Sequence, residues 1–369
     1  MKYYIITGEA SGDLHASNLV SRLQLYDSEA CIRAWGGELL EKKGAEVVKN
    51  YKDLAFMGFV EVARNLKTIL ANIRFCKQDI LSYQPDIVIL VDYPGFNLRI
   101  AKFLSKHNIR VFYYISPQVW AWHSSRIKQI KAYVNEMFVI LPFEKEFYAK
   151  HEINVHYFGH PLLDAIQHQK IDVNFLSLHT LSSLPIIAIL PGSRTQEIKN
   201  MLPVMLKAAS TISEYQFVIA GLENHKQLYQ DICKDNKMPI VYNQTYSLLA
   251  NSYAAMVSSG TATLETALFN VPQVVCYKGN YLSYLIAKKL IKNIKYISLV
   301  NLIADKEVVK ELIQNDMNEY QLTRELHQIV FDNECRKIML TDYSLLQEKL
   351  GNGNASDKIA RKMVDILKK

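Results

Sequence analysis

Asp92 ends a long apolar run, "DIVILVD", and is followed at once by Tyr93, Pro94 and Gly95. A carboxylate at a strand end can serve as a general base, and partial burial raises its pKa towards a useful value. The same arrangement also suits an Asx turn before proline. Asn97 is placed either to cap the next helix or to meet a ligand beside Asp92. A second segment, "LPGSRTQEI" (190–198), runs from a strand through Gly192 and Ser193 to Arg194. An arginine at a helix start can grip a phosphate with two parallel hydrogen bonds. Glu197 then either orients that arginine or caps the helix. In "SSGTATLE" (258–265), the small residues Ser259, Gly260 and Thr261 open a helix. Free amides and the helix dipole there favour an anion. Glu265 lies about one turn beyond Thr261, where a carboxylate can accept the two hydroxyls of a ribose.

Two further segments carry chemistry of a different kind. "YYISPQVWAWHSSR" (113–126) clusters Tyr113, Tyr114, Trp120 and Trp122 around Pro117 and Gln118, with Arg126 close behind. Aromatic faces suit sugar rings or acyl chains, and Arg126 suits a phosphate; packing beneath a cleft rim explains the aromatics equally well. "GEASGD" (8–13) has the outline of a phosphate loop after the strand "YYIIT", yet it carries Glu9 and Asp13 where an anion would sit. It also lacks the third glycine of a dinucleotide fingerprint. There is no H-E-x-x-H, P-loop lysine or nucleophile elbow. No redox cofactor and no zinc site are expected. His160, in "FGHPL", suits either a local hydrogen bond or a ligand role.

These residues need strands and turns to place them. Apolar runs alternate with helical patterns: "YYIIT" (3–7), "CIRAW" (31–35), "DIVILVD" (86–92), "RVFYYIS" (110–116), "MFVILP" (137–142) and "VHYF" (155–158). The polar stretch 165–184 reads as a linker. The alternation resumes with "IIAILP" (186–191), "QFVIAG" (216–221), "PIVYN" (239–243), "AAMVSSG" (254–260), "QVVCY" (273–277) and "YISLV" (296–300). Continuous apolar strands of this kind belong to parallel sheets covered on both faces. The pattern predicts two doubly wound Rossmann-like α/β domains facing across a cleft, at 1–165 and 166–345. Beyond about 305 only helix is expected. A helical tail, 346–369, would pack back on the first domain or on a partner protomer.

At 369 residues and 49% apolar composition, the chain can bury two cores. Five scattered cysteines form no C-x-x-C pair, which fits a reducing cytosol better than a disulfide framework. No segment reaches the roughly 20 apolar residues of a spanning helix. The net charge of +7 fits plain solubility or attraction to an anionic surface. Its basic residues are dispersed, and no nucleic-acid partner is expected. The exception is "YLSYLIAKKLIKNIKY" (281–296), which reads as a core helix with a solvated face or as a membrane-surface helix.

Taken in order, "GEASGD", "MGFVEV", "DYPGFN", "SPQVWAW", "LPFEKEFY", "FGHPL", "LPGSR", "SGTATLE" and "YISLVNLIAD" resemble the lipid-A-disaccharide synthases over roughly residues 3–315. The resemblance implies a GT-B-type inverting glycosyltransferase. Its substrates would be UDP-2,3-diacylglucosamine and 2,3-diacylglucosamine 1-phosphate (lipid X), and its products a β-1,6-linked disaccharide 1-phosphate and UDP. It implies work on the cytoplasmic face of the inner membrane of a Gram-negative bacterium, without a cofactor. By position, Asp92 matches the essential aspartate, although Gly95 replaces the family's frequent second acid. Arg194 matches the donor-site arginine. Gly192, Ser193, Glu197, Ser259, Gly260, Thr261, Glu265 and Asn301 fall in the UDP-binding set, and Glu311 and Gln314 recur nearby. Glu9, Ser11, Asp13, Asn97, Gln118, Trp120 and Arg126 are left to the acceptor sugar. Ser11 or Asp13 would equally cap a helix. Acylated substrates favour lipid contact by Met57, Phe59, Val60, Tyr281, Tyr284, Lys288 and Lys289. A homodimer through the C-terminal helices is a further expectation. The competing expectations are another UDP-sugar enzyme, such as a UDP-N-acetylglucosamine epimerase, and a silent nucleotide-sugar or lipid binder.

Overall fold

Runs of uninterrupted apolar residues form the central strands. "IVILV" (Ile87–Val91) and "IIAIL" (Ile186–Leu190) are buried at every position, as strands covered on both faces must be. The computed structural model describes residues 1–53, 66–120, 124–167, 169, 171–234, 236, 238–279 and 295–368. Met57, Phe59, Val60, Trp122, Tyr281, Tyr284, Lys288 and Lys289 lie outside the described residues.

The chain divides into two units, Met1–Ala165 with Leu350–Lys369, and Ile166–Lys349. The first contains β1 (Lys2–Ile6), α1 (Ala10–Tyr26), β2 (Cys31–Gly36), α2 (Glu38–Glu41), β3 (Glu46–Asn50) and α3 (Leu66–Tyr83). It continues with β4 (Ile87–Val91), α4 (Pro94–Ser105), β5 (Arg110–Tyr114), α5 (Ser124–Tyr133), β6 (Glu136–Val139), α6 (Glu144–Ala149), β7 (His156–Tyr157) and α7 (Pro161–Gln167). Its seven strands run parallel in the order β3-β2-β1-β4-β5-β6-β7.

The second unit contains α8 (Phe175–Leu178), β8 (Ile186–Leu190), α9 (Thr195–Ala209), β9 (Gln216–Gly221), α10 (Lys226–Ile232), β10 (Ile240–Tyr242), α11 (Thr245–Ala250) and β11 (Ser252–Ser258). There follow α12 (Thr261–Leu268), β12 (Gln273–Tyr277), α13 (Leu299–Ala304), β13 (Lys310–Ile313), α14 (Glu319–Phe331) and α15 (Asn333–Leu350). Six parallel strands lie in the order β10-β9-β8-β11-β12-β13.

After α15 the chain turns through Gly351 and Gly353, both at positive φ, into α16 (Ala355–Leu367). The predicted boundary at 345 therefore falls inside a continuous helix. Ile359, Ala360, Met363 and Val364 of α16 are buried with Leu19, Val20 and Leu23 of α1. Burial of each large aliphatic side chain contributes roughly 1.5–3 kcal/mol. Asp164 accepts from the Ala355 and Ser356 amides at 3.2 and 2.8 Å and so caps α16. The apolar face of this helix is thus taken within its own chain.

Two expectations fail. "YISLV" (296–300) is not a strand, because the Ser298 hydroxyl accepts from the Asn301 amide and starts α13. The region beyond 305 is not purely helical, because "KELI" forms the edge strand β13 beside β12. An edge strand needs only one apolar face, so its four residues carry a weak signal.

Candidate active site

Strand order reverses between β1 and β4 in the first sheet and between β8 and β11 in the second. Open α/β sheets bind ligands at such switch points, outside the carboxyl ends of the strands. The loops at these four strand ends carry Glu9, Asp92, Arg194 and the segment 258–261.

In the first unit, β4 ends with two left-handed residues, Asp92 at φ 45° and Tyr93 at φ 47°. Each such non-glycine residue costs on the order of 1–3 kcal/mol and persists only where surrounding bonds enforce it. The Asp92 amide donates to the Tyr114 carbonyl at 3.1 Å. Its carbonyl accepts from the Tyr113 hydroxyl at 2.5 Å and the Asn97 side-chain amide at 2.7 Å. Burial pushes the half-buried Asp92 carboxyl up to about 7, and the Glu9 charge adds to the rise. A bond from the Tyr93 amide and the Arg126 charge oppose it. A carboxylate of that pKa is matched to proton abstraction near neutral pH. The pKa of Arg126, in the first turn of α5, is lowered by partial burial, and the Asp92 carboxylate opposes that shift.

The glycine loop beside it is packed tightly. A methyl group on Gly8 would overlap the Tyr93 ring, so that ring lies directly against the glycine. Glu9 occupies the N-cap position of α1 and is half-buried, as is Ser11 in the first turn. Asp13 departs from its expected sugar-facing role. It is buried, and its carboxylate accepts from the Gly37, Leu39 and Leu40 amides at 2.7, 3.1 and 3.4 Å. Those bonds commit it to the start of α2. Asn97 is corrected in the same way: it lies fully buried inside α4, which begins at Pro94, and it donates back to Val91 and Asp92.

The aromatic loop is only partly as expected. Tyr113 and Tyr114 belong to the core and not to a ligand face. Gln118 is exposed, and the half-buried Trp120 meets Phe143 edge-on at 5.1 Å. The loop opens with another left-handed residue, Ile115 at φ 63°. It is held from below by the Ser116–Tyr148 hydroxyl pair at 2.6 Å. His160 is buried, and its Nδ1 accepts from the Leu162 amide at 3.2 Å, a local role.

In the second unit, Gly192 has φ 108°, and a methyl group there would press on Glu197 and on the Ser258 hydroxyl. The Glu197 carboxylate accepts from the Ser193 and Arg194 amides at 3.1 and 3.3 Å. Its other oxygen stands 3.4 Å from the exposed Arg194 guanidinium. Glu197 therefore both caps α9 and orients the arginine. It also occupies the amides of Ser193 and Arg194, so it and Ser193 organise the loop and leave anion contact to the guanidinium. Ser259 and Gly260 lead into α12, with exposed Thr261 in the first turn. The first amides of a helix lack intrahelical partners.

Glu265 is half-buried, and one of its oxygens accepts from the Tyr246 hydroxyl at 2.8 Å. Burial raises its pKa, and the Tyr246 bond lowers it. Tyr246, on α11, was invisible as a site residue: nothing in "QTYSLL" announces a partner for Glu265. Asn301 departs from its expected UDP contact. It is fully buried, its oxygen accepts from the Val308 and Val309 amides, and its nitrogen donates to the Val309 carbonyl and Glu311. Glu311 in turn accepts from the Ile297 and Ser298 amides, both at 2.9 Å. The pair staples the turn around α13. Among the described residues, no three acidic, histidine or cysteine side chains group closely enough to hold a metal.

Two parallel-sheet domains with polar switch points, followed by a helical end, define a GT-B-type fold. Solved structures agree. A Staphylococcus aureus MnaA–UDP co-structure superposes with a TM-score of 0.71 at 13% identity, covering 100% of this chain and 97% of that one. Methanocaldococcus jannaschii UDP-GlcNAc 2-epimerase, solved with UDP-GlcNAc and UDP, gives 0.65 at 15% identity, covering 99% and 100%. At such identities the likeness concerns the fold alone. Sequence is more specific. The lipid-A-disaccharide synthetase family model matches residues 3–364. The lipid-A-disaccharide synthase of Syntrophus aciditrophicus is 39% identical over 374 residues, 99% of this chain and 97% of that protein. The chain belongs to the lipid-A-disaccharide synthetase family.

Proposed function

We propose that the chain condenses UDP-2,3-diacylglucosamine with 2,3-diacylglucosamine 1-phosphate to give the β-1,6-linked disaccharide 1-phosphate and UDP. The acceptor 6-hydroxyl attacks the donor anomeric carbon as the bond from that carbon to the UDP oxygen breaks. Configuration inverts, the hydroxyl proton passes to Asp92, and UDP leaves as an anion. The observation that carries this assignment is Asp92 itself: a strand-end carboxylate in enforced left-handed geometry, with its pKa at about 7. In the second unit, the Arg194 guanidinium and the α12 amides stabilise the charge that develops on the diphosphate. Glu265, braced by Tyr246, takes the ribose hydroxyls. Glu9, Gln118, Trp120 and Arg126 are left to bind the acceptor. Arg126 supplies a cation for its 1-phosphate.

Peripheral contact with an anionic bilayer belongs to the same proposal, on the cytoplasmic face of the inner membrane. It is supported by α3, which exposes Leu66, Leu70 and Phe75 beside Lys67 and Arg74. Among the described residues, no helix is long and apolar enough to cross a membrane. A homodimer through the C-terminal helices gains no support, since α1 takes the apolar face of α16.

The test is incubation of the purified protein with both acylated substrates, followed by mass analysis. Disaccharide monophosphate and stoichiometric UDP are expected. Epimerised donor, or bound UDP-sugar without product, would replace this assignment with one of its rivals. Flotation with anionic liposomes should be strong at low salt and weaker at high salt; no flotation at either removes the membrane contact.

A further inference from the structure

We propose that Tyr113 is a positioning residue for the transfer step, acting through the backbone of Asp92; the inference rests on the assignment of Asp92 as base. Tyr113 lies on β5, fully buried, in the strand adjacent to the one that Asp92 ends. A phenylalanine would fill the same apolar space, just as Phe112, one residue earlier, is buried on the opposite face of β5. A buried hydroxyl costs free energy unless it is bonded. This one donates to the Asp92 carbonyl at 2.5 Å.

The same carbonyl accepts from Asn97 at 2.7 Å, and the Asp92 amide is tied to Tyr114 at 3.1 Å. Both peptide groups flanking Asp92 are therefore held, one by β5 and the other by β5 and α4 together. Fixing both peptides fixes the direction of the bond from Cα to Cβ, and so limits the positions the carboxylate can reach through its side-chain rotamers. Asp92 and Tyr93 both sit at positive φ, a conformation that relaxes when its restraints are removed. Tyr113 thus contributes no contact with substrate. It holds the base in the orientation from which the acceptor hydroxyl is deprotonated, and small misplacements of a reacting group are costly.

The test is a double-mutant cycle on the full chain, with Tyr113→Phe, Asp92→Asn and the pair. Tyr113→Phe should lower kcat by about 10- to 100-fold. KM for the UDP-sugar and the calorimetric affinity for UDP should stay within about twofold, because nothing in the second unit changes. In the Asp92→Asn background, Tyr113→Phe should change kcat by less than about twofold, since its effect runs through the lost carboxylate. Equal losses in both backgrounds, or an unaltered kcat for Tyr113→Phe alone, overturn the proposal. Should Tyr113→Phe fail to fold, Asn97→Ala removes the other donor to the same carbonyl and must show the same dependence on Asp92. Wild-type turnover in Asp92→Asn is a separate result: it would remove the base assignment itself.

Discussion

The two sheets reverse at equivalent places, yet the loops there have opposite character. Between β1 and β4 stand Glu9, Asp92 and Tyr93, two acids and an aromatic ring laid over Gly8. Between β8 and β11 stand Arg194 and the small residues that open α12. Topology selects where a ligand can sit, and the side chains select which ligand it is. In the first unit the Tyr93 ring lies against Gly8, and the acids Glu9 and Asp92 stand in the loops beside it. In the second unit a carboxylate is also present, but Glu197 is turned onto its own loop and serves to aim a cation. On the proposed function, the same βα geometry serves once for a base and once for a diphosphate.

Substitutions at the two places should fail in different ways. Asp92→Asn should lose about 10²–10⁴-fold in kcat, the range for a general base, measured by product formation at saturating substrates. It should also gain thermal stability above pH 7. Burial raises the native carboxyl from 3.8 to about 7, so ionisation opposes folding increasingly between those values and fully above them. The gain should fade as pH falls towards 4. Next in size, Arg194→Ala should lose about 10²–10³-fold in kcat/KM with weakened UDP affinity. Lysine should restore only part, because it lacks the planar fork. In the first unit, kcat/KM should fall about tenfold per pH unit below an apparent pKa near 7. Glu9→Gln removes a negative charge beside Asp92, so that acid limb should move to lower pH; an unmoved limb would dissociate Glu9 from the base. The smallest effect is expected for Tyr246→Phe, a few-fold rise in KM for the UDP-sugar with kcat unchanged, read from steady-state kinetics.

Strands such as β4 and β8 were legible because a doubly covered sheet demands continuous apolar runs. The switch-point loops were legible too, since glycine, small residues and a lone charge past such a run are unusual. The direction in which a polar side chain turns was harder to read. Asp13, Asn97 and Asn301 sit in motif-like segments, yet each turns inward and satisfies buried backbone groups. Short polar side chains serve a buried turn and a ligand with the same atoms, so their type does not separate the roles. The hydroxyl of Tyr113, which reads as one face of an aromatic cluster, and that of Tyr246 failed to stand out for the opposite reason. Each tyrosine resembles an ordinary packing aromatic, and only the position of its hydroxyl, 2.5 Å from the Asp92 carbonyl or 2.8 Å from Glu265, distinguishes it. Edge strand β13 was missed because four residues, of which only Leu312 is buried, barely show a period.

The division of labour between the two switch points is the central claim, and UDP calorimetry on Asp92→Asn and Arg194→Ala tests it most directly. Asp92→Asn should bind UDP as the wild type does while its turnover collapses, and Arg194→Ala should lose UDP affinity by about tenfold or more. Comparable loss of UDP affinity in both variants, or in Asp92→Asn alone, would contradict the assignment of base and diphosphate to separate units.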